Sequence, residues 1–576
     1  MKHLIAAGVG VLLMALGTGP RLAQACGGFF CDRPSSTSPT LPIAQAAENV
    51  LFVMGKDANG AATVDAHIQI FYTGPASKFS WIVPVTSVPT VTIGSDILFE
   101  RIEPPTRPSF NVNFQLEGNC GGVGSSSGIG CGASDSASGG GGVGPVFDAG
   151  THTVDVLASG SVGPFDYVVI KSQDGATLQT WLTDNGYYVS PDSATIINDY
   201  VTGQFSFVAV RLQNGQGTSA IRPIVLHLAA TEACLPLKLT AIASTPDLRI
   251  NVWVLGPARA VPLAYDEIAI NQAKLDWFSG GSNYDQLLKD AANEAQGDAF
   301  AVEYAMPATN SVSWFSYVKN ARVDLPKVVT PPDFVQVISL FGLQLTPSVM
   351  QVLRAQVPLP ATLAALGITE TLFYNNINMY WSTNQADFAP FDAAAATMAL
   401  ETDILTPLDD YATTFNRQGR LTRLATFISP EEMTKDPLFV TNASLPDVSP
   451  AHVAVAHVMC GDGTNACAAP VRLRTEDGQD VNYRPTSCMQ YDRGDLDQLP
   501  ASAVAWARTT DGEGQVVVDN RPQIAAALKV HNQAIALPSS DNGCGCTAGG
   551  SPGFVLWLTV VAGGLGLSRI RRRRRR

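Results

Sequence analysis

Asp65, His67 and Gln69 stand at alternate positions in "VDAHIQI", so an extended chain puts all three on one face. An imidazole flanked by a carboxylate and an amide can be oriented for proton transfer. Nucleophilic catalysis would also need a serine distant in sequence, and nothing nominates one. The plainer expectation is a solvated sheet face. His227, in "IVLHLAA", reads as a satisfied sheet histidine rather than a base. His452 and His457 lie five apart, on opposite faces of a strand or about 140° apart on a helix, so they do not share one ion.

Three further patterns can carry chemistry. Gly124-Ser125-Ser126-Ser127-Gly128 matches G-x-S-x-G, but it sits among glycines, without the strand and helix that a nucleophile elbow requires. The acidic runs "GDGTN" (461–465) and "DRGDLDQ" (492–498) offer hard oxygen ligands for Ca²⁺, yet neither has EF-hand spacing, and solvated loops are expected. P-loop and dinucleotide patterns are missing. These residues nominate no catalytic, cofactor-binding or metal-binding position, and no cofactor is expected.

The ten cysteines point to disulfides in an exported chain. Spacing proposes Cys26 with Cys31, Cys120 with Cys131, and Cys460 with Cys467, leaving Cys234 and Cys488 to bridge the two ends of the body. Zinc is the competing use, but no C-x2-C pair occurs and no histidine lies at ligand spacing.

The elements that must position these side chains begin with alternating "ATVDAHIQIFYT", the turn "TGPASK" and "FSWIVPV", which read together as a hairpin. The Gly/Ser-rich stretch 117–145 is expected to be a mobile surface loop. Then come "PFDYVVIK", a helix near 176–185 ending at Gly186, and a second helix with Ser190 as N-cap and Pro191 at N1. Four strand-like runs follow: "QFSFVAVRL", "RPIVLHLAA", "PLKLTAIA" and "LRINVWVLG". Strands in a row after two helices argue an α+β fold with a mostly antiparallel sheet over 26–270. Residues 271–445 have helical spacing, with a capping box at Ser429-Pro430-Glu431-Glu432, and 446–535 read as a small β-rich module closed by a helix.

Both ends look like addresses. Residues 1–25 have a basic start, an apolar run and Ala23-Gln24-Ala25, a secretory signal cleaved between Ala25 and Cys26. Ala23 stands where a lipoprotein signal wants a large aliphatic residue, which favours a disulfide at Cys26 over lipidation. A linker at 536–553 carries Gly543-Cys544-Gly545-Cys546, and 554–576 hold an uncharged run and seven arginines. The 14 residues Phe554–Leu567 span about 21 Å as a helix, short of a bilayer core of about 30 Å unless the arginines snorkel. Arginine clusters stay cytoplasmic, so the body is expected on the far side of the membrane.

Between residues 26 and 546 there are 28 basic residues against 50 acidic ones. Nucleic acid is therefore not an expected partner, because its recognition depends on Lys and Arg at phosphates.

Two resemblances follow from the quoted residues. The Gly/Cys motif, small-residue spacer, apolar run and terminal arginine block resemble the C-terminal sorting tails of myxobacterial surface proteins. That resemblance implies removal of the tail by a sorting protease and anchoring through Cys544 or Cys546. "CGGFFC", "AENVLFV", "HIQIFYTG…FSWIVPV" and "RPIVLHL…PLKLTAIA…INVWVLG" resemble a family of secreted bacterial proteins catalogued as domain of unknown function 2330, over roughly residues 26–270. It implies export and no particular reaction; the Gly/Ser insertion departs from its pattern. The expectation is a non-enzymatic structural or binding protein, exported and anchored at the cell envelope. An extracellular hydrolase acting on peptide or polysaccharide, and a Ca²⁺-dependent adhesin, are the alternatives.

Overall fold

The computed structural model describes residues 44–73, 79–118, 154–185, 193–213, 221–241, 244–460, 465–488, 490–535 and 537. The signal segment with Cys26 and Cys31, Cys120, Cys131, Ser125, Ser190 and the whole of 538–576, with Cys544 and Cys546, lie outside the described residues. So do 119–145 of the Gly/Ser stretch; its first two residues, Glu117 and Gly118, are still strand.

The fold is α+β with mostly antiparallel sheets. Its organising element is a ten-stranded sheet in the order Gln515–Asp519, Ser502–Ala507, Asp266–Ile270, Ala299–Pro307, Arg420–Ile428, Ser244–Gly256, Ala44–Lys56, Ala62–Thr73, Ile224–Leu228, Thr90–Ile93. Hydrogen-bonded strands thus cross the segment boundaries 270 and 445 read from the sequence. A five-stranded sheet does the same, placing Ala451–Cys460 parallel to Ser109–Gly118.

The two faces of the large sheet are covered differently. Val50, Phe52, Val64, Ala66, Ile68, Val252 and Val254 pack against a four-stranded sheet through Trp81, Val83, Phe165, Val208 and Val210. The other face, with Leu51, Val53, Trp253, Leu255 and Leu421, is covered by Ile97–Thr106 and by the helices between Pro331 and Arg417. Helical spacing in 331–417 was legible because each helix buries one stripe here, as Phe334, Val337, Ile338 and Phe341 do.

Four expectations are corrected. Ala62–Thr73 and Ser80–Val85 do not form a hairpin; they belong to different sheets. Their apolar faces meet across the interface between the sheets, which alternation alone cannot distinguish from pairing side by side. "PLKLTAIA" is not a strand, because Leu237–Thr240 forms a short helix after Pro236, burying Leu237, Leu239 and Thr240 together. Cys467 bonds to Cys488, with 4.3 Å between their Cα atoms, rather than to Cys460, which is itself disulfide-bonded. The hairpin of Val471–Arg474 with Asp480–Ser487 returns the chain to its starting point and delivers Cys488 to Cys467. Cys234 is a free thiol, not the partner of Cys488.

The capping box at Ser429 and Glu432 is present, and the C-terminal helix runs Arg521–Ala534. No helix among the described residues is long and apolar enough to cross a membrane.

Candidate functional site

Alternation puts Asp65, His67 and Gln69 on the face of the large sheet opposite Val64, Ala66 and Ile68, as expected. That face is not open to solvent. The helix Ile97–Thr106 and the run Ala393–Arg417 lie over it, leaving a cleft of about 320 Å³ between sheet and helices. Leu51 and Val53, Asp65 and His67, Val225 and His227, and Thr92 line its floor.

The roof depends on a helix irregularity. Ala393–Leu400 is α-helical, Glu401–Leu405 is a π turn, and Thr406–Arg417 is α-helical again. Pro407 has no N–H to offer the Asp403 carbonyl four residues back, and that carbonyl accepts the Ser95 hydroxyl at 3.3 Å. The irregular turn brings Thr402 and Asp403 to the cleft, and the following helix adds Asp410, Tyr411, Thr414 and Phe415. Gly94 closes one wall: its N–H donates to Pro223 O at 2.7 Å, and a Cβ there would meet Pro223 and Val225 at 3.2 Å.

Several polar groups of the cleft are held in defined pairs. His227 stands directly across from Asp65 in the antiparallel ladder, with Nδ1 2.9 Å from Asp65 Oδ1. Its Nε2 lies 2.8 Å from Thr92 Oγ1 on the neighbouring edge strand. Because the carboxylate only accepts, Nδ1 carries the proton facing Asp65, and in the neutral imidazole Nε2 is then free to accept from the Thr92 hydroxyl. The Asp65 hydrogen bond raises the His227 pKa above the ordinary imidazole value, against opposing desolvation. Arg222 pairs with Asp403 at 3.3 Å and is the one Arg or Lys among the described lining residues. Beside the cleft, Asp96 accepts from Gln69 Nε2 at 2.5 Å, and burial pushes its carboxyl up to about 6.

His67 differs from His227. Its ring lies edge-on to Tyr411, at 5.8 Å between centroids, and its buried Nδ1 has no hydrogen-bond partner. Desolvation pulls its pKa to about 4, with Asp65 opposing and His227 assisting the shift. The solvated sheet face expected for His67 is therefore a covered one.

The other sequence candidates do not converge. His452 pairs with Glu476 and stacks on Phe110, while His457 pairs with Glu117. In 492–498, Asp495 pairs with His531 and Asp497 with Arg493. Residues 461–464 of the other acidic run lie outside the described residues. Among the described residues no group of three or more His, Cys, Asp or Glu side chains is placed to hold a metal ion. Sequence reasoning missed Thr92, Arg222, Asp403, Asp410 and Tyr411. The available signals were the alternation of Thr90 and Thr92 and a proline inside the helical run "ETDILTPLDDY".

Residues 49–325 match a family described as "Uncharacterized protein conserved in bacteria (DUF2330)", and the N-terminal half of the chain resembles that family. The match takes in the strands carrying Asp65, His67, Thr92 and His227 and stops short of the roof residues at 402–415. No curated protein and no solved structure matches the chain.

The His67 environment generates a prediction. An imidazole whose folded-state pKa lies below its unfolded value leaves the unfolded chain binding more protons between the two values, so stability is lost as pH falls from about 6.5 toward 4. His67→Gln removes this term. From pH 7 to pH 5 the wild type should lose about 2 kcal/mol more stability than the variant, read from urea midpoints at both pH values. Equal losses would show that His67 is not desolvated.

Proposed function

We propose that this is an exported, envelope-anchored binding protein whose cleft between sheet and helices takes an uncharged, polyhydroxylated ligand of the saccharide class. The observation that carries the ligand reading is the composition of the cleft. Asp65, Asp403 and Asp410 line the cleft with a single arginine, Arg222, itself paired to Asp403. The excess of carboxylates disfavours anions, whereas carboxylates, guanidinium and the hydroxyls of Thr402 and Thr414 suit ligand hydroxyls. The rings of Tyr411 and Phe415 offer apolar surface for the ligand body, as small-molecule sites do.

Export and anchoring are supported by the two ends of the sequence, whose charge and hydropathy patterns agree on orientation. The membrane, through the tail or the anchor that replaces it, and a sorting protease are the partners this reading requires.

Two measurements test the proposal. Terminal-peptide and intact-mass analysis of protein from the host's envelope fraction should find a chain starting near Cys26 and ending at Cys544 or Cys546. A tail intact through Arg576 would contradict sorting. For the ligand, a panel of neutral mono- and disaccharides at millimolar concentration should raise the melting midpoint of the wild type through linkage. Asp410→Ala should weaken that stabilisation at least tenfold in ligand concentration. No shift with any saccharide would overturn the ligand assignment.

A further inference from the structure

We propose that Thr92, His227 and Asp65 form a hydroxyl nucleophile, a general base and an orienting carboxylate that hydrolyse O-acyl esters of the ligand bound in the cleft. This inference rests on the cleft being the ligand site. Three observations carry it. His227 bridges the other two, with Nε2 2.8 Å from the Thr92 hydroxyl and Nδ1 2.9 Å from Asp65, so the neutral imidazole that donates to Asp65 presents Nε2 as the acceptor for the hydroxyl proton. Those are the contacts that an activated nucleophile, its base and the group orienting that base require. All three side chains line the same cleft, so a bound ester can reach the hydroxyl.

The third observation is how the sheet holds them. Asp65 and His227 are directly paired on neighbouring strands, and Thr92 lies diagonally across on the strand beyond, two residues from Thr90, which pairs with His227. Backbone ladders, rather than loops, therefore set the spacing of the three groups. His67, one pair along on the same face, stays neutral near pH 7 and adds no second positive charge as His227 takes up a proton. Arg222 supplies permanent positive charge to the cleft in which the oxyanion develops.

The reaction balances with water as the only co-reactant. Thr92 Oγ1 bonds to the acyl carbon while its proton passes to His227 Nε2. The ester C–O bond breaks, and the departing alkoxide takes that proton to leave as an alcohol. Water then attacks the acyl-threonine, giving its proton to Nε2. The bond to Oγ1 breaks, the acid is released, and Thr92 regains its proton.

The test uses the exported chain with two probes, an alkyl fluorophosphonate and para-nitrophenyl acetate. The phosphonyl adduct should map to Thr92 and be absent from Thr92→Val and His227→Asn. Acetate release should fall roughly a hundredfold or more in both variants. Asp65→Asn should lower kcat and move the acidic limb of its pH profile to lower pH, because the bond that raises the His227 pKa is weakened, which a merely structural loss would not do. Far-ultraviolet circular dichroism of Thr92→Val and His227→Asn should match the wild type, so that loss of turnover is not loss of fold. A wild type that shows the saccharide-induced rise in melting midpoint but gives no Thr92 adduct, or labelling that persists in His227→Asn, overturns the reaction and leaves the binding site standing. Absence of both the rise and the adduct overturns the ligand site as well.

Discussion

A charged pair in the middle of the large sheet anchors much of this architecture. Arg423 and Glu303 lie on adjacent strands with their side chains fully buried and 2.8 Å between Nε and Oε2. Burial lowers the Arg423 pKa while Glu303 pulls it back up. A pair this deep survives only when its remaining donors and acceptors are satisfied. Arg249 also pairs with Glu303, the Tyr284 hydroxyl donates to it, and Arg423 donates to the Glu103 carbonyl at the end of the covering helix.

From that pair a polar row runs across the face toward the cleft. Arg423 and Arg249 both donate to Asn251 Oδ1, Asn251 donates to Asn49, Asn49 to Gln69, and Gln69 to Asp96. Five neighbouring strands each contribute, and alternation, with one register shift between Val302 and Tyr304, keeps the members on the helical side. Asp96, at the end of the row, precedes the helix whose partner Tyr411 forms part of the cleft roof. The row thus fixes where the helices sit over the sheet. It also explains why this face can hold polar groups at one edge, at Asp65, His67 and His227, without exposing the whole sheet to water.

Much of the fold was legible where one face of an element is apolar. Val64, Ala66 and Ile68 announced a strand, and the stripe in "PDFVQVISLFGL" announced a helix. Strands buried on both faces gave no such signal. "AFAVEYAMP" and "RLTRLATFI" fall inside the segment read as helical, yet Ala299–Pro307 and Arg420–Ile428 form the centre of the large sheet. Strand pairing was equally hidden, since Ala451–Cys460 lies beside Ser109–Gly118 from the other end of the chain. The cleft was half legible. The Asp65/His67 face could be read from alternation, but Thr92 and His227 join Asp65 only through sheet order, and Asp403 and Asp410 reach it only through the helical cover.

The buried Glu303–Arg423 pair ties these segments into one cooperative body, and urea unfolding of Glu303→Gln is the measurement to make. With Arg423 left without its counter-ion and Arg249 keeping only Asp285, the unfolding free energy should fall by about 3–5 kcal/mol. Tryptophan fluorescence and far-ultraviolet circular dichroism should move together in a single transition. An unchanged midpoint, or loss confined to one part of the chain, would contradict the account.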